Sequence, residues 1–193
     1  MQEAATFPEN FVTIFNTMAT DLKLQTPWPK PEDYVPAHVD TPILIWGAAS
    51  SVGQYAIQIL NFYGYKRLIA TASSEHHEYL KKLGAAACFD YRNADVVQKL
   101  LDHVDVQTAG EPKFPFIIDC ICSKKGSLTP ISKIAQSGSI VAAMLPVILT
   151  HATKDQTPEY SMDVASSVVW AEGVVPRGVR THYFANVSIS QFC

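Results

Sequence analysis

The sequence predicts an α/β fold, a doubly wound parallel sheet of six strands in the order 3-2-1-4-5-6 with helices on both faces. Three observations predict it. Ile43-Leu44-Ile45-Trp46 is a short apolar run, as a strand covered on both faces requires. It stops at the small residues Gly47-Ala48-Ala49-Ser50-Ser51-Val52-Gly53, and Val52, Ala56, Ile59, Leu60 and Tyr63 then recur at helical spacing. Further short apolar runs alternate with helical patterns down the chain, the pattern of strands joined by crossover helices.

Residues 10 to 22 read as a helix, with Phe11, Ile14, Phe15, Met18 and Leu22 on one stripe. Residues 26 to 42 carry Pro27, Pro29, Pro31, Pro36 and Pro42, so they form an extended connection. Residues 1–42 thus lead into the sheet, a dinucleotide-type domain occupies 43–185, and 186–193 form an unassigned tail. After the first strand and helix, Arg67 to Ala72 is a second strand, and a helix over 75–83 ends at Gly84. Ala87 to Tyr91 is a third strand and Ala94 to His103 a third helix. Phe116 to Cys120 is a fourth strand, begun at Pro115, where a missing N–H is tolerated. A helix near 127–135 leads through Gly138 to a fifth strand, Ser139 to Leu145. Residues 158–175 partly alternate at Met162, Val164, Val168 and Trp170, which suits a strand, with a helix as the alternative. The sixth strand is placed at 179–184.

With 193 residues, 48% apolar and 17% charged, the chain has material for one sizeable core. A net charge of −3 gives no electrostatic case for nucleic acid or a membrane surface. No apolar run is long enough for a spanning helix, and no signal peptide precedes the first helix. Cys88, Cys120 and Cys122 fall in or beside predicted strands, so reduced, buried thiols in a cytoplasmic protein are expected, with no zinc site.

The turn after the first strand carries the chemistry. Gly47 permits the bend, Ala49 lets a ligand approach the backbone, and Gly53 lets the helix pack against the strand. Ser50, Ser51 and Val52 lie at the helix start, where free N–H groups and the helix dipole suit a pyrophosphate. Ala49 stands where the strict G-x-G-x-x-G fingerprint has its second glycine, so the turn alone also fits a glycine needed only for shape. At the end of the second strand, where NAD-binding folds place an acidic residue, stand Ala72-Ser73-Ser74. Two hydroxyls and no carboxylate suit a ribose 2′-phosphate, and Tyr91 can pack on adenine or reach that phosphate. Helix capping by the serines and a half-buried strand position for Tyr91 are the plainer alternatives. Their convergence at adjacent strand ends favours the ligand.

Glu3-Ala4-Ala5-Thr6-Phe7-Pro8, Gly47 to Gly53, Thr71-Ala72-Ser73-Ser74, Leu83-Gly84-Ala85 and Phe89-Asp90-Tyr91 occur in one order. In this the chain resembles the medium-chain dehydrogenase/reductase superfamily, in its zinc-independent quinone reductase and fungal trans-acting enoyl reductase branch. The resemblance implies an NADP(H)-binding Rossmann domain of an oxidoreductase that reduces an activated C=C or a quinone, with NADPH preferred to NAD and a small-molecule substrate. It implies a pyrophosphate loop at Ala49 to Gly53, a 2′-phosphate site at Ser73, Ser74 and Tyr91, and nicotinamide contacts at Cys120, Ile121, Met144 and Leu145. Many members carry a lysine where this chain has Glu75, and His77 is the nearby group that would compensate. An edge strand within 158–175 would pair two copies into a homodimer. Members also carry a catalytic domain ahead of the Glu-Ala-Ala-Thr-x-Pro stretch, so this chain alone is expected to bind the nucleotide without useful turnover. The alternatives are a non-catalytic dinucleotide-binding scaffold, or another enzyme binding an adenosyl cofactor in the same crevice.

Overall fold

The computed structural model describes residues 2–105 and 110–180, with side chains from residue 9 onward. Helix α1 (Gln2–Asn16) ends in a wide turn over Thr17–Asp21. Then come β1 (Ile43–Trp46), α2 (Ser51–Tyr63), β2 (Leu68–Thr71), α3 (His77–Leu83), β3 (Ala87–Phe89), α4 (Val96–His103), β4 (Phe116–Asp119), α5 (Thr129–Ile134), β5 (Ile140–Met144), β6 (Val147–Thr150), β7 (Glu159–Ser161) and β8 (Val175–Val179). The main sheet runs β3-β2-β1-β4-β5-β8, the predicted order with β8 as its sixth strand. All five pairings are parallel, with Ile43 opposite Leu68 on one side and Phe116 on the other.

Every residue of β1, β2 and β4 is buried, because layers cover both faces. Successive side chains point to opposite faces. Ile43 and Ile45 join Ile14, Ile57 and Leu60 beneath α1 and α2. Leu44 and Trp46 join Leu100, Ile117 and Ile131 beneath α4 and α5. Each fully buried Ile or Leu contributes about 2 kcal/mol by removal from water, so this alternation fixes the register as well as the stability.

The largest departure from expectation is at the C-terminal end. The sixth strand lies at Val175–Val179 instead of 179–184. Pro176 and Gly178 disguise it, yet both suit its place at the sheet edge. A Cβ at Gly178 would come within 2.7 Å of the Leu145 side chain. Residues 181–193, with the expected tail, lie outside the described residues. The alternation at 158–175 yields only the short β7, which pairs antiparallel with β6 in a separate hairpin. Val164 is buried there, Met162 is exposed, and Trp170 Nε1–H donates to the Val164 carbonyl at 3.3 Å, so tertiary packing sets the conformation. The third strand is shorter than expected, ending at Phe89.

Candidate dinucleotide site

The carboxyl ends of β1, β2 and β4 enclose a cleft of about 470 Å³. Its floor is the β1–α2 turn. Gly47, at φ +76°, donates its N–H to Thr71 Oγ1 at 3.2 Å, and Ala48 N–H donates to the Thr71 carbonyl at 2.9 Å. The turn is thereby tied to the end of β2. Ser50 caps α2, its Oγ accepting the Gly53 N–H at 3.2 Å, while its own N–H donates to the Gly47 carbonyl at 3.0 Å. Ser50 therefore shapes the loop from within. Ser51 and Val52 open α2, and N–H groups of a first helical turn have no acceptor within the helix. They are the donors a phosphate would meet, with the helix dipole adding about 0.3–1 kcal/mol. A Cβ on Gly53 would lie 2.6 Å from Ala48 Cα, so helix and turn touch at backbone distance there. The close packing fixes the start of α2 against the turn, and the N–H groups of Ser51 and Val52 at that helix start are the donor set that suits a pyrophosphate.

One wall comes from the ends of β2 and β3. Neither serine hydroxyl caps the following helix. Ser73 Oγ lies 3.5 Å from the Tyr91 hydroxyl, and both residues line the cleft. Ser74 donates its N–H to Asp90 Oδ2 at 3.1 Å. Arg92 forms hydrogen bonds with Asp90 and holds its carboxyl well below the usual carboxylate range. His77 does not face the cleft as a counter-charge to Glu75. Its Nε2 bonds the Ala72 carbonyl at 3.0 Å, and His76 lines the cleft instead. The one-residue difference arises because the chain makes a tight three-residue turn, Ser74–His76, before α3 begins.

The opposite wall is the loop after β4. Asp119 is fully buried, and its carboxylate accepts from Ile121 N–H at 2.9 Å, Cys122 N–H at 3.0 Å and the Ser127 hydroxyl at 2.6 Å. Burial pushes its carboxyl above the usual range despite those three donors. Together they hold Cys122 at φ +51°, a left-handed conformation that costs an ordinary residue about 1–2 kcal/mol. Ile121 is thereby turned into the cleft, at 41% exposure. A Cβ on Gly47 would run into the Ile121 side chain at 2.4 Å, so the two loops approach closely.

Of the residues expected to touch the cofactor, Gly47, Ala49, Ser50, Ser73, Tyr91 and Ile121 line the cleft. Ser51, Val52 and Gly53 open α2 beside it. Ser74, in the turn before α3, and Cys120, Met144 and Leu145, at the ends of β4 and β5, stand outside its lining. Burial pushes the thiols of Cys120 and Cys122 up, so neither is a ready nucleophile. The sequence reading missed His76, Ser123, Gly126 and His151, which also line the cleft. Ser123 and Gly126 belong to the loop after β4, whereas only long-range packing brings His151 there. A larger hollow of about 630 Å³ is lined by residues of the segment Ala19 to Tyr34 and by none of the β1–α2 turn. Among the described residues, no three of His, Cys, Asp or Glu gather as a metal requires. No helix among them is long and apolar enough to cross a membrane.

A parallel sheet in this order with a donor-lined cleft at its strand ends defines a dinucleotide-binding domain of the Rossmann type. Residues 51–163, more than half of the chain, match the family model described as zinc-binding dehydrogenase, and the chain belongs to that family, within the medium-chain dehydrogenase/reductase superfamily. It is 43% identical over 104 residues to the trans-enoyl reductase tazE of Aspergillus terreus, covering 53% of this chain and 32% of that protein. The crystal structure of CurK enoyl reductase superposes with a TM-score of 0.66 at 20% identity, over 98% of this chain and 47% of that one. A short chain alcohol dehydrogenase, rspB from E. coli CFT073, complexed with cofactor NADH, superposes with a TM-score of 0.58 at 15% identity, over 94% of this chain and 44% of that one. The chain thus spans between about a third and a half of these relatives.

Proposed function

We propose that the chain is the NADP(H)-binding part of an oxidoreductase that reduces an activated C=C or a quinone. The observation that carries this is the wall of the cleft at the end of β2. Where an NAD site sets a carboxylate, this chain has the buried Ala72 followed by Ser73, with the Tyr91 hydroxyl alongside. Both hydroxyls can donate to a 2′-phosphate, and charge-assisted bonds of this kind contribute about 1.5–3 kcal/mol each. Arg92 and His76 supply positive or protonatable groups beside this wall, each with a carboxylate partner, Asp90 at 2.7 Å from Arg92 and Glu75 at 3.8 Å from His76.

Bound NADPH supplies a hydride from its nicotinamide ring. The protein's part is to hold the dinucleotide across the strand ends and to keep water from it. Cys120, Ile121, Met144 and Leu145 form the surface where the ring would lie. Cys120 and Cys122 hold their protons there, and none of these side chains is an acid aimed at a substrate. These residues therefore orient the ring and leave protonation of the product to water or to another segment, so turnover by this chain alone is slow. The natural test is hydride transfer: NADPH deuterated at C4 with a panel of enones and mass analysis of the products, and loss of NADPH absorbance with a panel of quinones, whose transferred deuterium exchanges with water. Deuterium on carbon in an enone product, or NADPH oxidation by a quinone, supports the reductase. A chain that binds NADPH and does neither, alone or with an enoyl reductase catalytic domain added, is a binding protein instead.

A further inference from the structure

The β1–α2 turn is held from behind by two side chains that do not line the cleft. We propose that Gln54 and Tyr79 are positioning residues for the diphosphate of the dinucleotide, fixing the Ala49 carbonyl so that the turn offers the anion N–H groups and no unbalanced carbonyl. The inference rests on the dinucleotide reading above. It concerns how the turn is held and adds no contact with the ligand.

The backbone of the turn leaves one carbonyl over. The Ser50 carbonyl opens the ladder of α2 by accepting the Gln54 N–H at 2.9 Å. The Gly53 N–H stands at the spacing that would serve the Ala49 carbonyl, but Ser50 Oγ takes it at 3.2 Å. A side chain meets that carbonyl instead, with Gln54 Nε2 donating to Ala49 O at 2.8 Å. Gln54 is the fourth residue of α2, and Ala49 precedes the cap. Those two positions face each other across the first turn of a helix and commonly hold an apolar pair. Here a hydrogen bond joins them. An amide that donates through its nitrogen turns its oxygen the other way. Gln54 Oε1 accepts accordingly from the Tyr79 hydroxyl of α3 at 3.4 Å. Tyr79 is exposed, Gln54 half-buried, and Ala49 lines the cleft, so the chain of bonds runs from the surface of α3 to the cleft floor.

The two ends of one peptide plane are thereby fixed. The Ala49 carbonyl and the Ser50 N–H belong to the same rigid unit. Gln54 holds the first, and the Gly47 carbonyl accepts the second at 3.0 Å. A peptide carbonyl carries the negative end of its dipole. Left free to swing toward a diphosphate, it would offset the attraction of the N–H groups at the start of α2. The Gln54 amide satisfies it without bringing a charge. A carboxylate at position 54 would repel both the carbonyl and the anion.

The test uses the full chain, with fluorescence titration of NADPH and NADH and competition by 2′-AMP and adenosine, which lack the diphosphate. Gln54→Met keeps the length of the side chain and removes its donor. It should weaken NADPH and NADH alike, by roughly three- to tenfold, and leave 2′-AMP and adenosine unchanged. A merely structural role would not separate the two kinds of probe. Gln54→Glu should weaken both dinucleotides further, with the extra loss shrinking as salt is raised. Tyr79→Phe, at an exposed position, should show the same split at roughly twofold and keeps the test open if Gln54→Met does not fold, which the denaturant midpoint would show. Dinucleotide affinities unchanged in Gln54→Met, or all four probes weakened equally, overturn the positioning role and leave the dinucleotide reading standing. If the unaltered chain bound neither NADPH nor NADH, the dinucleotide reading itself would fall, and the role of Gln54 with it.

Discussion

The two loops that face each other across the cleft are built by different means. The β1–α2 turn is made of backbone: Gly47 at positive φ, N–H groups bonded to Thr71, a serine cap, and Gly53 at contact distance from Ala48. The β4 loop is made by one buried side chain, Asp119, which gathers Ile121, Cys122 and Ser127 and is then overlaid by a hairpin from beyond β5. The first design depends on residues that are small, the second on a residue that is acidic and hidden. The first tolerates no added atoms. The second tolerates no lost acceptor.

Asp119→Ala tests the second half of that contrast and carries the largest expected effect. It strands the N–H groups of Ile121 and Cys122, each worth about 1–3 kcal/mol unsatisfied, while the Ser127 hydroxyl keeps the Ser123 carbonyl at 3.2 Å, so about 2–4 kcal/mol of stability is lost. The midpoint of denaturant unfolding measures it. A loss below about 1 kcal/mol would mean that water or neighbouring carbonyls replace the carboxylate. Gly53→Ala tests the first half. The added methyl meets the Ala48 backbone, and overpacking of this kind costs about 2–3 kcal/mol. NADPH affinity should fall in the same variant, because helix and turn must separate.

Asp119→Asn sharpens the comparison through pH. Burial raises the Asp119 carboxyl above its reference of 3.8, so the folded state binds its proton more tightly than the unfolded chain. That contribution to stability is complete below 3.8 and is lost as pH rises through the raised folded value. The difference in stability between parent and variant should therefore shift in favour of Asn as pH rises through that window. A difference that is flat with pH would mean an unperturbed carboxyl. The smallest effect belongs to the cleft mouth. Arg92→Met should weaken NADPH by roughly threefold and NADH hardly at all, since a solvent-screened charge contributes little. Equal effects on the two would remove Arg92 from the 2′-phosphate site.

The same contrast explains what the sequence could tell. Strand order, the β1–α2 turn and the absence of a carboxylate after β2 are local features, written in runs such as Ile43 to Gly53 and Thr71 to Ser74. They were legible because burial on both faces and tight turns restrict residue type position by position. The β6–β7 hairpin was not, because Val147 to Thr150 follows β5 after only two residues and its partner is brought back from Glu159. His151 and Ser123 meet across 28 positions of sequence, which no short spacing records. Strand β8 was misplaced because Pro176 and Gly178 argue against a strand until its edge position is known. The exchange of His77 for His76 at the cleft turned on a single three-residue turn.

The central claim is that the wall at Ser73 and Tyr91 receives a 2′-phosphate. Its most direct measurement is the ratio of NADPH to NADH affinity, by fluorescence titration, in the parent chain and in the double variant Ser73→Ala, Ser74→Ala. The parent should bind NADPH more tightly, and the double variant should lose roughly tenfold or more of NADPH affinity while NADH changes little. If both dinucleotides weakened equally, or the parent favoured NADH, the serines would be shape only, and Glu75 would be the residue that sets the cofactor.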